Sequence, residues 1–173
     1  MVAEGSSCSL WLLLLSPSAP FPPPTFPPCA QADAATHVVW ALNLMTGQAL
    51  VAAGSLRVAG SLNGDPTPAG PTSGAGLLTS PQGLFMDPSM QLLYISEGDT
   101  VRVLDTGLGQ LTTLVGSAGR AGSLDGSVAS STLEDPHGLA LDPSRSLLYI
   151  ADTGGNTVSG DACVCVCVCV CGG

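Results

Sequence analysis

Lysine is absent from this chain of 173 residues, and only four arginines stand against thirteen acids, for a formal net charge of -9. A nucleic-acid surface needs clustered cations to displace counterions from phosphates. Arg57, Arg102, Arg120 and Arg145 have no basic neighbours, so no nucleic-acid partner is expected. Anionic membrane surfaces are disfavoured for the same reason. Aromatic residues make up only 4% of the chain. The core must therefore come from small and aliphatic side chains, which suits closely stacked strands. The N-terminal apolar run, Leu10 to Leu15, is too short to span a bilayer. No convincing helical period occurs between residues 37 and 158, which argues against helices there. No Gly-x-Ser-x-Gly segment is present and no Ser/His/Asp set can be assembled. The glycine-rich stretch Gly116 to Gly126 has no following helix and no lysine, which excludes a phosphate-binding P-loop.

What the chain does contain is a repeat. The segment from Pro81 to Ser96 returns as Pro136 to Ala151, with ten positions identical. Upstream, Ala59 to Gly64 returns as Ala121 to Gly126, at a slightly larger offset. The mismatch between the two offsets is an insertion in one connector, Asp65 to Ser80, rich in Gly and Pro. Loops accept such insertions at small entropic cost. A fixed period identifies a supersecondary unit that needs neighbouring copies to bury its apolar face.

Within one period four short strands are expected: Gly83 to Asp87, Leu92 to Ser96, Thr100 to Asp105 and Leu111 to Val115. The first ends at Asp87-Pro88-Ser89, a turn signal repeated at Asp142-Pro143-Ser144. The third alternates, with Val101 and Val103 inward and Arg102 and Leu104 outward, or the reverse. Four-stranded antiparallel units at this spacing point to propeller blades. The fold class is accordingly all-β, a partial β-propeller of four-stranded antiparallel blades. Strand counting gives the last two strands of one blade, all four of the next and the first two of a third. Since propellers close with about four to eight blades, the chain is expected to be a fragment, or to need further blades or other copies for closure.

The pattern Pro136-x-Gly138-Leu139-x-x-Asp142, followed by Leu148-Tyr149-Ile150-Ala151-Asp152-Thr153-x-x-Asn156, resembles the NHL-repeat family of β-propellers. The earlier copy reads Ser96-Glu97-Gly98-Asp99-Thr100 at the corresponding place and departs from that pattern. The resemblance covers about residues 37 to 158. It assigns a structural signature to Pro81, Gly83, Asp87, Tyr94, Pro136, Gly138, Asp142, Tyr149, Asp152 and Asn156. Such scaffolds host many functions, and what the resemblance implies here is a non-enzymatic interaction scaffold. Its expected partner is a protein or peptide, its binding loop Asp65 to Ser80, and no cofactor is called for.

The organisation follows. Residues 1–36 read as a leader and linker, with a proline-rich spacer from Pro17 to Pro28. Residues 37–159 hold the blades. Residues 160–173 form a tail in which Cys and Val alternate. Five cysteines at every second position would share one strand face and could ligate a soft metal. Paired-cysteine zinc spacings are missing, and low complexity is the simpler account. Cys8 and Cys29 could pair in an oxidising compartment. The leader has an acidic start, a short apolar core and a small-residue segment at Ala30-Gln31-Ala32, leaving secretory or organellar targeting open.

His137 is the sharpest chemical candidate. Pro136-His137-Gly138-Leu139 is similar to the metal-ligand segment of the peptidyl-hydroxyglycine amidating lyase, a zinc propeller. That resemblance defines the rival reading, a metal-dependent propeller enzyme of the amidating-lyase or lactonase type. Several histidines would have to converge, yet the equivalent residue in the other copy is Gln82, so local hydrogen bonding is the expected role of His137. His37 is a lesser candidate. Asp87 and Asp142 are expected to cap turns. Asp152, Thr153 and Asn156 are expected to lock the turn between the second and third strands. A third reading is a truncated product without independent function.

Overall fold

The computed structural model describes residues 29–44, 46–64, 76–87, 92–124, 130–142, 147–155 and 165–169. These residues form ten strands: β1 Cys29–Asp33, β2 Val38–Asn43, β3 Gln48–Gly54, β4 Pro81–Asp87, β5 Leu92–Glu97, β6 Thr100–Asp105, β7 Gln110–Gly116, β8 Pro136–Asp142, β9 Leu147–Asp152 and β10 Cys165–Cys169. They make three antiparallel meanders, β1-β2-β3, β4-β5-β6-β7 and β8-β9-β10. The protein is a partial β-propeller. The middle sheet is a complete four-stranded blade, and its strands contain the expected segments with only small extensions at their ends. Among the described residues no helix is long and apolar enough to cross a membrane.

The two sequence offsets have structural meaning. The offset that carries Ala59 onto Ala121 also carries β2 and β3 onto β6 and β7. The offset that carries Pro81 onto Pro136 carries β4 and β5 onto β8 and β9. Irregularities repeat with them. The β4–β5 ladder shifts register between Pro81 and Leu84, and the β8–β9 ladder between Pro136 and Leu139. The outer ladders shift between Val39 and Trp40 and between Val101 and Arg102. The latter bulge explains an otherwise odd pair. Leu111 and Val115 would share one face of a regular strand, yet Leu111 joins the core toward the first sheet and Val115 the core toward the third.

Two expectations shift. The first sheet has three strands, because β1 pairs with β2 upstream of residue 37, in the stretch read as linker. The third sheet also has a third strand. Cys165–Cys169 of the alternating tail pairs with β9 in the register that β6 takes on β5, so that Val166 stands opposite Ile150 as Arg102 stands opposite Ile95. Alternating β-branched residues suit a strand regardless of origin.

The core consists of one joint used twice. Between the first and middle sheets lie Leu78, Leu84, Leu93, Ile95, Leu104 and Leu111, packed on Ala32, Val39 and Ala53. Between the middle and third sheets lie Leu133, Leu148 and Ile150, with Leu139 and Leu141 alongside, packed on Tyr94, Val101, Val103 and Val115. One repeat further on, Leu78, Leu84, Leu93 and Ile95 become Leu133, Leu139, Leu148 and Ile150. The middle sheet is covered on both faces, so β5 and β6 are buried along nearly their whole length. That is why β6 shows no polar side: Arg102 is as fully enclosed as Val101.

Candidate functional site

Two places concentrate polar chemistry. The first lies where the inner strands β4 and β8 begin. The residues just before their prolines, Ser80 and Asp135, adopt left-handed backbone angles, with φ of 50° and 53°. Such angles are uncommon without glycine, and proline disfavours helical conformations before it. Both are fixed by the same device. The Glu97 carboxylate accepts the N–H of Thr79, and the Asp152 carboxylate accepts the N–H of Glu134 at 2.7 Å. Thr153 Oγ1 and N donate to the Asp135 carbonyl, and Gly154 N donates to that of Glu134. Asp152 and Thr153 thus fasten the segment entering their own blade, while most of the turn to the next strand, which they were expected to lock, lies outside the described residues. Asn156 lies outside the described residues.

The left-handed turn leaves the Asp135 side chain half exposed. Its Oδ1 accepts a hydrogen bond from Gln82 Nε2 at 2.8 Å, and its Oδ2 lies 3.3 Å from His137 Nε2. Gln82 and His137, equivalent in the repeat, thus meet at one carboxylate. His37 sits at the preceding turn, where its Nδ1 accepts the N–H of Ser80 at 3.0 Å. The result is a polar rim able to exchange hydrogen bonds with a ligand. Among the described residues no three His, Cys, Asp or Glu side chains are placed to share a metal ion.

The other signature residues among the described ones lie in the strands and at the joints between blades. Gly83 lies against the next blade: a Cβ there would overlap the His137 carbonyl oxygen. Ser96 Oγ, fully buried, accepts the N–H of Gly83 and donates to that same carbonyl, both at 2.8 Å. Pro81 and Pro136 open β4 and β8. Tyr94 is buried in the second joint, where burial and the nearby Asp87 push its hydroxyl pKa up. Asp87 ends β4 in a buried position, while the turn it was expected to cap lies outside the described residues. Asp142 ends β8, and Tyr149 lies opposite Ala140 on β9.

The second place is the base of the inserted connector. Arg102, with no solvent exposure, donates from Nη1 to Glu97 Oε1 at 2.7 Å and to the Leu77 carbonyl at 3.1 Å. From Nη2 it donates to the Leu62 carbonyl at 3.0 Å and to Asn63 Oδ1 at 2.8 Å. One guanidinium thus holds both stems of the loop, and Gly64 pairs with Leu111 just beyond. Burial pushes the Glu97 carboxyl pKa up, against the opposing pull of the Thr79 N–H and Arg102. Residues 65–75 of the expected binding loop lie outside the described residues. Their stems stand at the level of Leu111, near the Gln110 end of β7, and therefore at the opposite end of the blade from the Gln82 rim. Sequence reasoning missed Arg102 as an anchor. The signal was available as the one arginine inside an apolar strand.

No family profile matches the chain. Among curated proteins it is similar to NHL repeat-containing protein 2 of Bos taurus, at 30% identity over 94 residues, and of Homo sapiens, at 34% over 94 residues. Each match covers 51% of this chain and 13% of the relative, so the chain spans about an eighth of the relatives' length. Among solved structures, a Bacteroides thetaiotaomicron protein of unknown function aligns with a TM-score of 0.62 at 22% identity, over 73% of this chain and 30% of that one. An auxiliary nutrient binding protein from Bacteroides ovatus aligns at 0.54 and 23% identity, over 72% of this chain and 32% of that one. At these identities the structures speak to the fold alone. Together with the repeated blade joint, the comparisons show a partial β-propeller that is similar over 94 residues to NHL repeat-containing protein 2.

Proposed function

We propose that this chain serves as a non-catalytic interaction scaffold of the NHL-propeller type, presenting the loop Asp65 to Ser80 to a protein or peptide partner. The observation that carries this reading is the Arg102 clamp. A buried guanidinium fixes Leu62, Asn63 and Leu77 at the loop's base, so the intervening sequence can vary without disturbing the blade. A rigid base with a variable insertion is how scaffolds carry recognition surfaces.

The test is to delete residues 66–75 from the full chain and pan both proteins against a displayed peptide library. The deletion is expected to keep the wild-type melting temperature and lose the selected peptides. Equal recovery of the same peptides by both proteins contradicts the loop assignment.

A further inference from the structure

We propose that the peptide bond between Asp135 and Pro136 is a self-cleavage site. The Asp135 carboxylate attacks its own backbone carbonyl, Thr153 holds the oxyanion, and His137 protonates the departing proline nitrogen. The reaction acts once, on the chain itself, and is independent of the loop's role.

Four Asp-Pro bonds occur in the chain, at Asp65, Asp87, Asp135 and Asp142. In such a bond the side-chain carboxylate can close a five-membered ring on the adjoining carbonyl carbon. Proline forms a tertiary amide without an N–H, and it leaves as a basic secondary amine. At Asp135 the fold adds three further elements. The first is strain: Asp135 has a φ of 53° directly before proline, a conformation that sterics disfavour. The preceding residue is pinned from both sides, its N–H by the Asp152 carboxylate and its carbonyl by the Gly154 N–H. The second is a pair of donors on the scissile carbonyl. The Asp135 oxygen accepts Thr153 Oγ1 at 2.5 Å and Thr153 N at 3.3 Å. Donors already aimed at the oxygen that becomes negative stabilise the transition state without reorganisation. The third is a proton donor. His137 follows the leaving proline, and its Nε2 lies 3.3 Å from Asp135 Oδ2, while Gln82 Nε2 orients Oδ1 at 2.8 Å. The His137 and Asp135 side chains are 45% and 54% exposed, so water reaches both.

The steps balance. An Asp135 carboxylate oxygen bonds to the Asp135 carbonyl carbon, and the carbonyl oxygen takes the negative charge against Thr153. The carbon–nitrogen bond then breaks. Its electron pair goes to Pro136 N, which takes a proton from the His137 imidazolium. The cyclic anhydride left on Asp135 is opened by water, which returns a proton to His137. The products are a chain ending in Asp135 and a chain beginning with the free amine of Pro136.

The earlier repeat is the contrast. Its inner strand is entered through the same left-handed turn, at Ser80 with a φ of 50°. There Ser80, Gln82 and Gly98 stand where Asp135, His137 and Thr153 stand. The turn is common to both copies, and the carboxylate, imidazole and hydroxyl are present together in the second.

Incubation of the purified full chain at mildly acidic pH, followed by intact mass under denaturing conditions, reads the reaction. Fragments 1–135 and 136–173 are expected, with the other three Asp-Pro bonds intact. In the presence of glycinamide, fragment 1–135 should carry the amide adduct of the opened anhydride. His137→Gln, which places the earlier copy's residue there, should keep the parental melting temperature and slow cleavage about 100-fold, the usual share of a general acid. Thr153→Val should slow it by about 100-fold through loss of an oxyanion donor. Unfolding in urea should bring cleavage at Asp135 down to the rate of the other Asp-Pro bonds. A chain that stays whole overturns the proposal, as does cleavage at Asp135 that is equal in the folded and unfolded chains. Cleavage by His137→Gln at the parental rate removes the imidazole from the mechanism and overturns it as well. Cleavage without a glycinamide adduct means direct attack by water and overturns the role of the Asp135 carboxylate.

Discussion

Glu97 and Asp152 hold the same place at the end of the second strand in successive repeats, and each binds the N–H of the residue two before the proline that opens its own blade's inner strand, Thr79 and Glu134. They differ in what balances them. Glu97 has the buried Arg102. Asp152 is 2% exposed, and its Oδ2 has no hydrogen-bond partner among the described residues. Glu134 and Asp135 nearby add negative charge.

Removing Arg102 is expected to be severe. Arg102→Leu leaves a buried carboxylate uncompensated and strips the Leu62 and Leu77 carbonyls of their donor, a loss of about 3–5 kcal/mol by the usual cost of breaking a buried pair. Adding Glu97→Gln should recover part of it, since the stranded charge goes. Urea titration of the two variants measures this; an additive second loss contradicts the pairing.

Asp152 sets a pH dependence. Burial raises its pKa above the ordinary 3.8, so the folded state holds the proton to higher pH than the unfolded state. Its contribution to stability is fully present below about pH 3.8 and is lost as pH rises through the folded value. Asp152→Asn should therefore gain stability relative to wild type as pH rises from acid to neutral. Denaturant midpoints measured from acid to neutral pH test this, and a constant difference between Asp152→Asn and wild type contradicts the assignment.

Ser96 bridges two blades from a fully buried position. Ser96→Ala is expected to cost about 1–3 kcal/mol, the penalty for stranding buried hydrogen-bonding groups. Ala151→Ser, on an open face, should change stability by less than about 0.5 kcal/mol. Equal effects at the two sites would mean that the blade joint does not use the hydroxyl.

Much of this fold was legible in the chain. The duplicated Pro-x-Gly-Leu and Leu-Leu-Tyr-Ile segments located β4, β5, β8 and β9, and alternation located β6. Strand β1 escaped because Cys29-Ala30-Gln31-Ala32-Asp33 has little β-branched character and follows the proline-rich stretch. Strand β10 escaped because low complexity masks an alternation that backbone pairing tolerates. The rim was legible only in part: the repeat paired Gln82 with His137, but Asp135 between them is placed by a left-handed turn that no local pattern announces. Arg102 was legible only as an arginine inside an apolar strand; the partners that make it a clamp, Leu62, Asn63 and Leu77, are brought to it by the fold.

The most direct test of the stacked-blade account is amide hydrogen exchange on the full chain. With the middle sheet covered on both faces, the amides from Leu93 to Ile95 and from Val101 to Leu104 are expected to exchange slowest, well behind those of Gln48 to Val51 on the exposed part of β3. Exchange in the middle sheet as fast as in β3 would contradict the account.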